Sequence, residues 1–171
     1  MLIFIIGYMG AGKTTLGKRL ADRLNYQFYD MDEMFEISSG YSIGNFFEKF
    51  GEAAFRQKER EMLISHLEDL HAVIATGGGT PCYADNMALM NQTGITVFVD
   101  TEFDMIMKRL SGKIYDRPML KNIPHEELPD FIREHMRARR SYYVKAMITV
   151  YGKEVDLESL IDAVRSASGG R

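Results

Sequence analysis

Short apolar runs recur along the chain at Leu2–Ile6, 27–29, Ala72–Ala75, 96–99 and 147–151, and each reads as a strand. The longer stretches between them carry apolar residues at helical spacing, as at Phe55, Met62, Leu63, Leu67 and Leu70. Strands alternating with helices build a parallel sheet covered on both faces, so the expected architecture is a three-layer α/β fold of about five strands. Two regions interrupt the alternation. Between Asp30 and Ala72 there is room for roughly two or three helices and no strand, which predicts a helical insertion, with 31–62 as its substrate-binding part. Residues 111–124 hold two prolines, a glycine and several charges without periodicity, and a loop of that length in a compact domain predicts a lid. The small Ser/Gly tail at 166–171 is expected to fray.

With 171 residues the chain supports one sizeable core, so a single domain over 1–171 is expected. A formal charge of −3 gives no global attraction to nucleic acid or to an anionic membrane. Leu2–Ile6 is far too short to span a bilayer, and it lacks the basic flank and cleavage site of a signal peptide. The single cysteine, Cys82, excludes an internal disulfide and fits a reducing compartment, so the expectation is a cytoplasmic protein with no membrane or nucleic-acid partner.

The first strand runs into Gly7-Tyr-Met-Gly-Ala-Gly12-Lys13-Thr14, which satisfies G-x-x-x-x-G-K-[ST] between a strand and a helix. Glycines let successive backbone N–H groups turn toward phosphate oxygens, and the helix N-terminus adds partial positive charge. Gly10, Ala11, Gly12, Lys13, Thr14 and Thr15 are therefore candidate nucleotide contacts, with Lys13 reaching the β- and γ-phosphates and Thr14 a ligand of Mg²⁺. No N-K-x-D-like segment for guanine is present, so ATP is the expected nucleotide. The architecture becomes a three-layer P-loop NTPase fold.

Three further features carry candidate chemistry. Asp30 and Asp32 in "FYDMDE" end the second strand, where one carboxylate can serve Mg²⁺ and the other can accept a proton; equally, they can be the N-cap and first-turn acid of a helix. Asp100, closing the apolar strand "TVFVD", is a rival for the metal role, and pattern alone leaves that contest open. Gly77-Gly78-Gly79 predicts either a close approach to the backbone or a tight turn. Arg56, Arg117 and the cluster Arg137, Arg139 and Arg140 are candidates for pairing with a carboxylate or a transferring phosphate, with Arg137 and Arg140 read as surface charges.

In order and separation, "GYMGAGKTT", "FYDMDE", "GEAAFRQKE", "ATGGGTP", "DRPML" and "RRSYY" resemble shikimate kinase, an ATP-dependent small-molecule kinase of the nucleoside-monophosphate-kinase-like fold. The resemblance spans nearly the whole chain. It implies that Asp30 assists Mg²⁺ beside Thr14, leaving Asp100 structural. It implies that Asp32 binds shikimate hydroxyls and acts as base, and that Arg56 and Arg139 pair with the substrate carboxylate. Gly77, Gly78 and Gly79 would line the substrate, Phe47 and Phe55 would form an apolar wall, and Glu59 would position Arg56. Arg117 would close over the phosphates with Lys13 as the catalytic cation, and Arg109 would stack on adenine. Three departures stand out: Arg139-Arg-Ser141-Tyr-Tyr143 replaces the common Arg-x-Pro-x-Tyr, "RPML" replaces "RPLL", and "TVYGKEVD" lacks the usual Asp and Pro of the adenine loop. The implied reaction is phosphorylation of the 3-hydroxyl of shikimate by a monomer. Gluconate or nucleotide kinases and an ATP sensor without turnover are the alternatives.

Overall fold

The structure is a computed structural model, and it describes residues 1–69, 71–111, 119–120, 123–151 and 155–169. Five strands, β1 (Leu2–Ile6), β2 (Gln27–Asp30), β3 (Ala72–Ala75), β4 (Gly94–Asp100) and β5 (Ile148–Tyr151), make one parallel sheet in the order β2-β3-β1-β4-β5. In the register, Ile5 lies beside Ala75 on one flank and Val97 on the other. Every residue of β1 and β3 is buried, whereas the edge strands β2 and β5 are only partly covered. A strand with helices on both faces has no wet side, which is why its sequence is continuously apolar rather than alternating. Ile3, Phe4, Ile5 and Ile6 are wholly enclosed. Burial of each such side chain contributes about 1.5–3 kcal/mol, so β1 anchors the loop that leaves its carboxyl end.

The helices are α1 (Lys13–Leu24), α2 (Met31–Ser39), α3 (Ile43–Ser65), α4 (Asn86–Thr93), α5 (Phe103–Leu110), α6 (Leu128–Tyr143) and α7 (Leu157–Ser168), with a short 3-10 turn at Thr80–Cys82. Helix α1 lies close on the sheet: a Cβ on Gly17 would stand 2.6 Å from the Phe28 ring. Helices α2 and α3 fill the interval between β2 and β3. Ser42 caps α3 by accepting the Asn45 N–H at 3.2 Å, and the helix kinks at Gly51, whose φ is 79°. Past the kink, Phe55 packs against Phe35 at 4.7 Å and against Phe47 at 4.6 Å between ring centroids. On the same helix, Arg56 and Glu59 lie against Gly77–Gly79, which follow the carboxyl end of β3.

The strands lie where the apolar runs predict them, with β4 extended at both ends. The expected fraying is corrected for 166–168: Ser166, Ala167 and Ser168 complete the last turn of α7, where the Ser168 hydroxyl donates to the Arg165 carbonyl at 2.8 Å, while Gly170 and Arg171 lie outside the described residues. The core of the expected lid, with Arg117 and Pro118, lies outside the described residues, as does Leu70. Among the described residues no helix is long and apolar enough to cross a membrane.

Candidate active site

Parallel sheets gather their ligands at the carboxyl ends of the strands, and two adjoining clefts open there. The first, of about 480 Å³, is lined by the glycine loop, Thr14, Thr15, Asp30, Asp32, Gly78 and Arg109. Gly12 forms the left-handed N-cap of α1, with a φ of 99°, a conformation that suits glycine and turns the first helical N–H groups toward the cleft. The Lys13 ammonium folds back over the loop and donates to the carbonyls of Gly7 and Tyr8, both at 3.0 Å. From the far wall, Arg109 donates to the carbonyls of Gly10 at 2.8 Å and Ala11 at 2.9 Å. Its guanidinium is thereby fastened to the phosphate loop.

Asp30 is the N-cap of α2 and also reaches Thr14. One carboxylate oxygen accepts the N–H groups of Asp32 at 3.0 Å and Glu33 at 3.4 Å, capping α2, while the other accepts the Thr14 hydroxyl at 2.6 Å. Thr14 and Asp30 thus converge two hard oxygens on the phosphate side of the cleft. Among the described residues no cluster of three or more acidic, histidine or cysteine side chains assembles a metal cage. One or two protein oxygens, with phosphate and water completing the shell, is how Mg²⁺ is usually held, so the donor set fits that ion. Asp100 is engaged elsewhere, accepting both Arg140 amino groups at 2.8 and 2.7 Å.

The second cleft is lined by Asp32, Phe47, Phe55, Arg56, Glu59, Gly77–Gly79 and Arg139, joined by Met9 and Met119. Arg56 is almost wholly buried and donates to Glu59 at 2.8 Å, with a longer contact to Glu52 at 3.4 Å. Its guanidinium also lies 5.0 Å from the Phe55 ring centroid. Glu59 is buried too, and burial pushes its carboxyl above the usual carboxylate range; Arg56 and the Thr80 hydroxyl oppose that rise, and the Asp32 charge adds to it. Steric need explains the triple glycine. A Cβ on Gly79 would strike the Arg56 guanidinium, and one on Gly77 would meet Glu59 and stand 3.0 Å from the Thr80 hydroxyl. Of the two expectations for this backbone, both hold: it turns at Gly77–Thr80, and buried charged side chains approach it.

Arg139, from α6, faces the same cleft with its guanidinium 6.0 Å from the Tyr8 ring and its Nη2 3.7 Å from the Met119 sulfur. Among the described residues no carboxylate pairs with it, in contrast to Arg137, which pairs with Glu134, and Arg140, which pairs with Asp100. Arg139 thus brings its positive charge to the pocket.

Four residues without a role expected from sequence bond to the walls of these clefts or to each other behind them. The Tyr8 hydroxyl hydrogen-bonds His135 Nδ1 at 2.8 Å, the Tyr143 hydroxyl donates to the Gly78 carbonyl at 2.6 Å, and Thr80 donates to Glu59 at 2.7 Å. Burial pushes the Tyr8 phenol up to about 12 and raises Tyr143 further, so both stay protonated. Burial, with the charges of Arg139 and Arg56, lowers His135 to about 4, and it is neutral near pH 7. Tyr143 lies one helical turn beyond Arg139, a spacing that could have flagged it. Nothing local in the sequence points to His135 or Thr80.

A family model for shikimate kinase matches residues 9–165. The chain belongs to the shikimate kinase family. The shikimate kinase of Bacteroides thetaiotaomicron is 43% identical over 154 residues, covering 90% of this chain and 88% of that protein. A crystal structure of shikimate kinase from the same species superposes with a TM-score of 0.86 at 39% identity, over 99% of this chain and 98% of that one. The shikimate kinase of Acinetobacter baumannii, solved in complex with shikimate, gives 0.86 at 30% identity, over 99% and 93%. As a member of this family the chain is a kinase, built on the P-loop NTPase fold.

Proposed function

We propose that this kinase transfers the γ-phosphoryl group of ATP to the 3-hydroxyl of shikimate, giving shikimate 3-phosphate and ADP, a step toward chorismate and the aromatic amino acids. The observation that carries the reading is the meeting of the two clefts at Asp32 and Gly78, which line both. A phosphate cradle and a pocket holding the buried Arg56 and the half-buried Arg139 share one carboxylate at their junction, and that is where an acceptor hydroxyl has to stand.

In the mechanism Asp32 orients the 3-hydroxyl and takes its proton as the oxygen attacks Pγ; the O3–P bond forms while the bond from Pγ to the β,γ-bridging oxygen breaks. Lys13 turns from the loop carbonyls onto the β- and γ-phosphates, and the amides of Gly10, Ala11 and Gly12 with the start of α1 at Thr14 and Thr15 hold the rest. Thr14 and Asp30 would hold Mg²⁺, which when bound spreads the charge of the phosphates. Arg56 and Arg139 clamp the acceptor carboxylate, Gly77–Gly79 allow its approach, and Phe47 and Phe55 wall the ring. Arg109 borders the nucleotide at the loop, and Arg117, outside the described residues, is assigned to the phosphates by resemblance. Residues 31–62 serve as the acceptor-binding insertion and 111–124 as the lid that excludes water. A lone thiol fits a reducing compartment, and we place the enzyme in the cytoplasm as a monomer.

The test is ADP release in a coupled assay with Mg-ATP and, separately, shikimate, quinate, gluconate or nucleoside monophosphates. Strong stimulation by shikimate alone is expected. Stimulation by another acceptor, or ATP binding without turnover on any, overturns the assignment.

A further inference from the structure

A buried carboxylate needs a partner for each oxygen, and Glu59 has one for each. Its Oε2 accepts from Arg56 at 2.8 Å and its Oε1 accepts from the Thr80 hydroxyl at 2.7 Å. Glu59 is 3% exposed and Thr80 is wholly buried, so the hydroxyl meets its acceptor inside the protein. Thr80 is itself held from behind. Asn86, also wholly buried, donates Nδ2–H to the Thr80 carbonyl at 2.9 Å, and its own amide oxygen accepts from Arg60. Arg60 also pairs with Asp85 at 2.6 Å. Helix α3 therefore grips the Thr80–Cys82 turn twice: through Glu59 to the Thr80 side chain, and through Arg60 and Asn86 to the Thr80 backbone. A β-branched residue adds stiffness at χ1, fixing where the hydroxyl points.

We propose that Thr80 is a positioning residue for acceptor recognition: its hydroxyl sets the orientation of Glu59, and Glu59 sets the guanidinium of Arg56 for the acceptor carboxylate. Thr80 touches neither substrate nor nucleotide and acts through the pair. With the hydroxyl removed, Glu59 Oε1 is left without a donor, and the carboxylate rotates to take a second N–H from Arg56. The guanidinium follows and presents fewer N–H groups to the pocket. Thr14 and Asp30 bond to each other and to the start of α2, apart from this chain of bonds, so nucleotide affinity is untouched.

The inference rests on the reading of Arg56 as an acceptor-carboxylate anchor, and the experiment separates the two. Steady-state kinetics are measured for Thr80→Val, Thr80→Ala, Thr80→Ser and Arg56→Ala, varying shikimate at saturating Mg-ATP and the reverse, with thermal denaturation in parallel. Thr80→Val and Thr80→Ala are expected to raise the KM for shikimate about tenfold, leaving kcat and the KM for ATP within about twofold, while Thr80→Ser restores the KM for shikimate. A merely structural role would lower Tm and the active fraction, moving apparent kcat with the KM unchanged. That pattern, or a wild-type KM for shikimate in both hydroxyl-free variants, overturns the proposal. If Arg56→Ala raises the KM for shikimate and the Thr80 variants do not, only Thr80's role falls. If Arg56→Ala leaves it unchanged, the anchor reading falls and takes this inference with it.

Discussion

Gly79→Ala tests the buried arginine by a single methyl group. Gly79 has a φ of −94° and a ψ of −14°, which alanine adopts freely, so the substitution carries no backbone penalty. Its Cβ would lie 2.5 Å from Cζ and 2.6 Å from Nη1 of Arg56, where ordinary contact begins at 3.4 Å. The guanidinium must therefore withdraw by about 1 Å. It is pinned by Glu59 at 2.8 Å, and such a shift takes that bond past the usual limit for N–H···O. A hydrogen bond to a charged group contributes about 1.5–3 kcal/mol, which corresponds to roughly 10- to 150-fold in an equilibrium constant. The expected outcome is an increase of that size in the KM for shikimate, with the KM for ATP unchanged, read in the coupled assay. Gly40→Ala is the control: Gly40 has open space but a φ of 71°, so alanine there costs about 1–2 kcal/mol of stability and leaves acceptor kinetics alone. A Gly79→Ala enzyme with wild-type KM for shikimate would refute the claim that Arg56 is fixed where the acceptor needs it.

Asp30→Asn keeps a good N-cap while removing the charge beside Thr14, so Tm should stay within a few degrees as the Mg²⁺ concentration for half-maximal activity rises; Asp30→Ala should also lose about 1 kcal/mol of stability. If Asn titrates with Mg²⁺ like the wild type, Asp30 is a cap alone. Asp32→Asn should lower kcat by about 10²–10⁴-fold while ATP binding by calorimetry stays near wild type, and a turnover close to normal would remove Asp32 as base. The raised Glu59 carboxyl, faced by Arg56, Asp32, Thr80 and Cys82, should protonate on acidification before ordinary carboxylates do, releasing its hold on Arg56. Because its folded pKa is raised, Glu59 favours the folded state when protonated, and that contribution is lost as pH rises through the folded value. Mild acid should thus lower kcat/KM for shikimate without loss of Tm on this account, and Glu59→Gln should flatten that acid limb. A pH profile identical in wild type and Glu59→Gln would contradict this.

Much of the fold and part of the site were legible in the chain. The strands could be read because parallel strands are buried on both faces and so are written as uninterrupted apolar runs. The glycine loop could be read because backbone curvature toward phosphate demands glycine at fixed offsets, a constraint that is local. Asp30 could not be resolved from Asp100 in this way, since either aspartate ends an apolar strand. The difference lies in their neighbours: Thr14 reaches Asp30 from α1, and Arg140 reaches Asp100 from α6, and neither meeting is encoded by spacing along the sequence. The triple glycine likewise left open a close approach or a tight turn, and only the packing of α3 against the Thr80–Cys82 turn shows that Arg56 and Glu59 approach it.

What the sequence determined by itself was the local: strand and helix periods, the phosphate loop, and the residue types available for phosphoryl transfer. What only the tertiary structure decided was partnership. Arg139 and Arg140 are adjacent and chemically alike, yet one faces the acceptor pocket and the other is consumed by Asp100. Adjacent residues on a helix point about 100° apart, so their fates are set by what each face meets across the fold, and those contacts are made between segments distant along the chain.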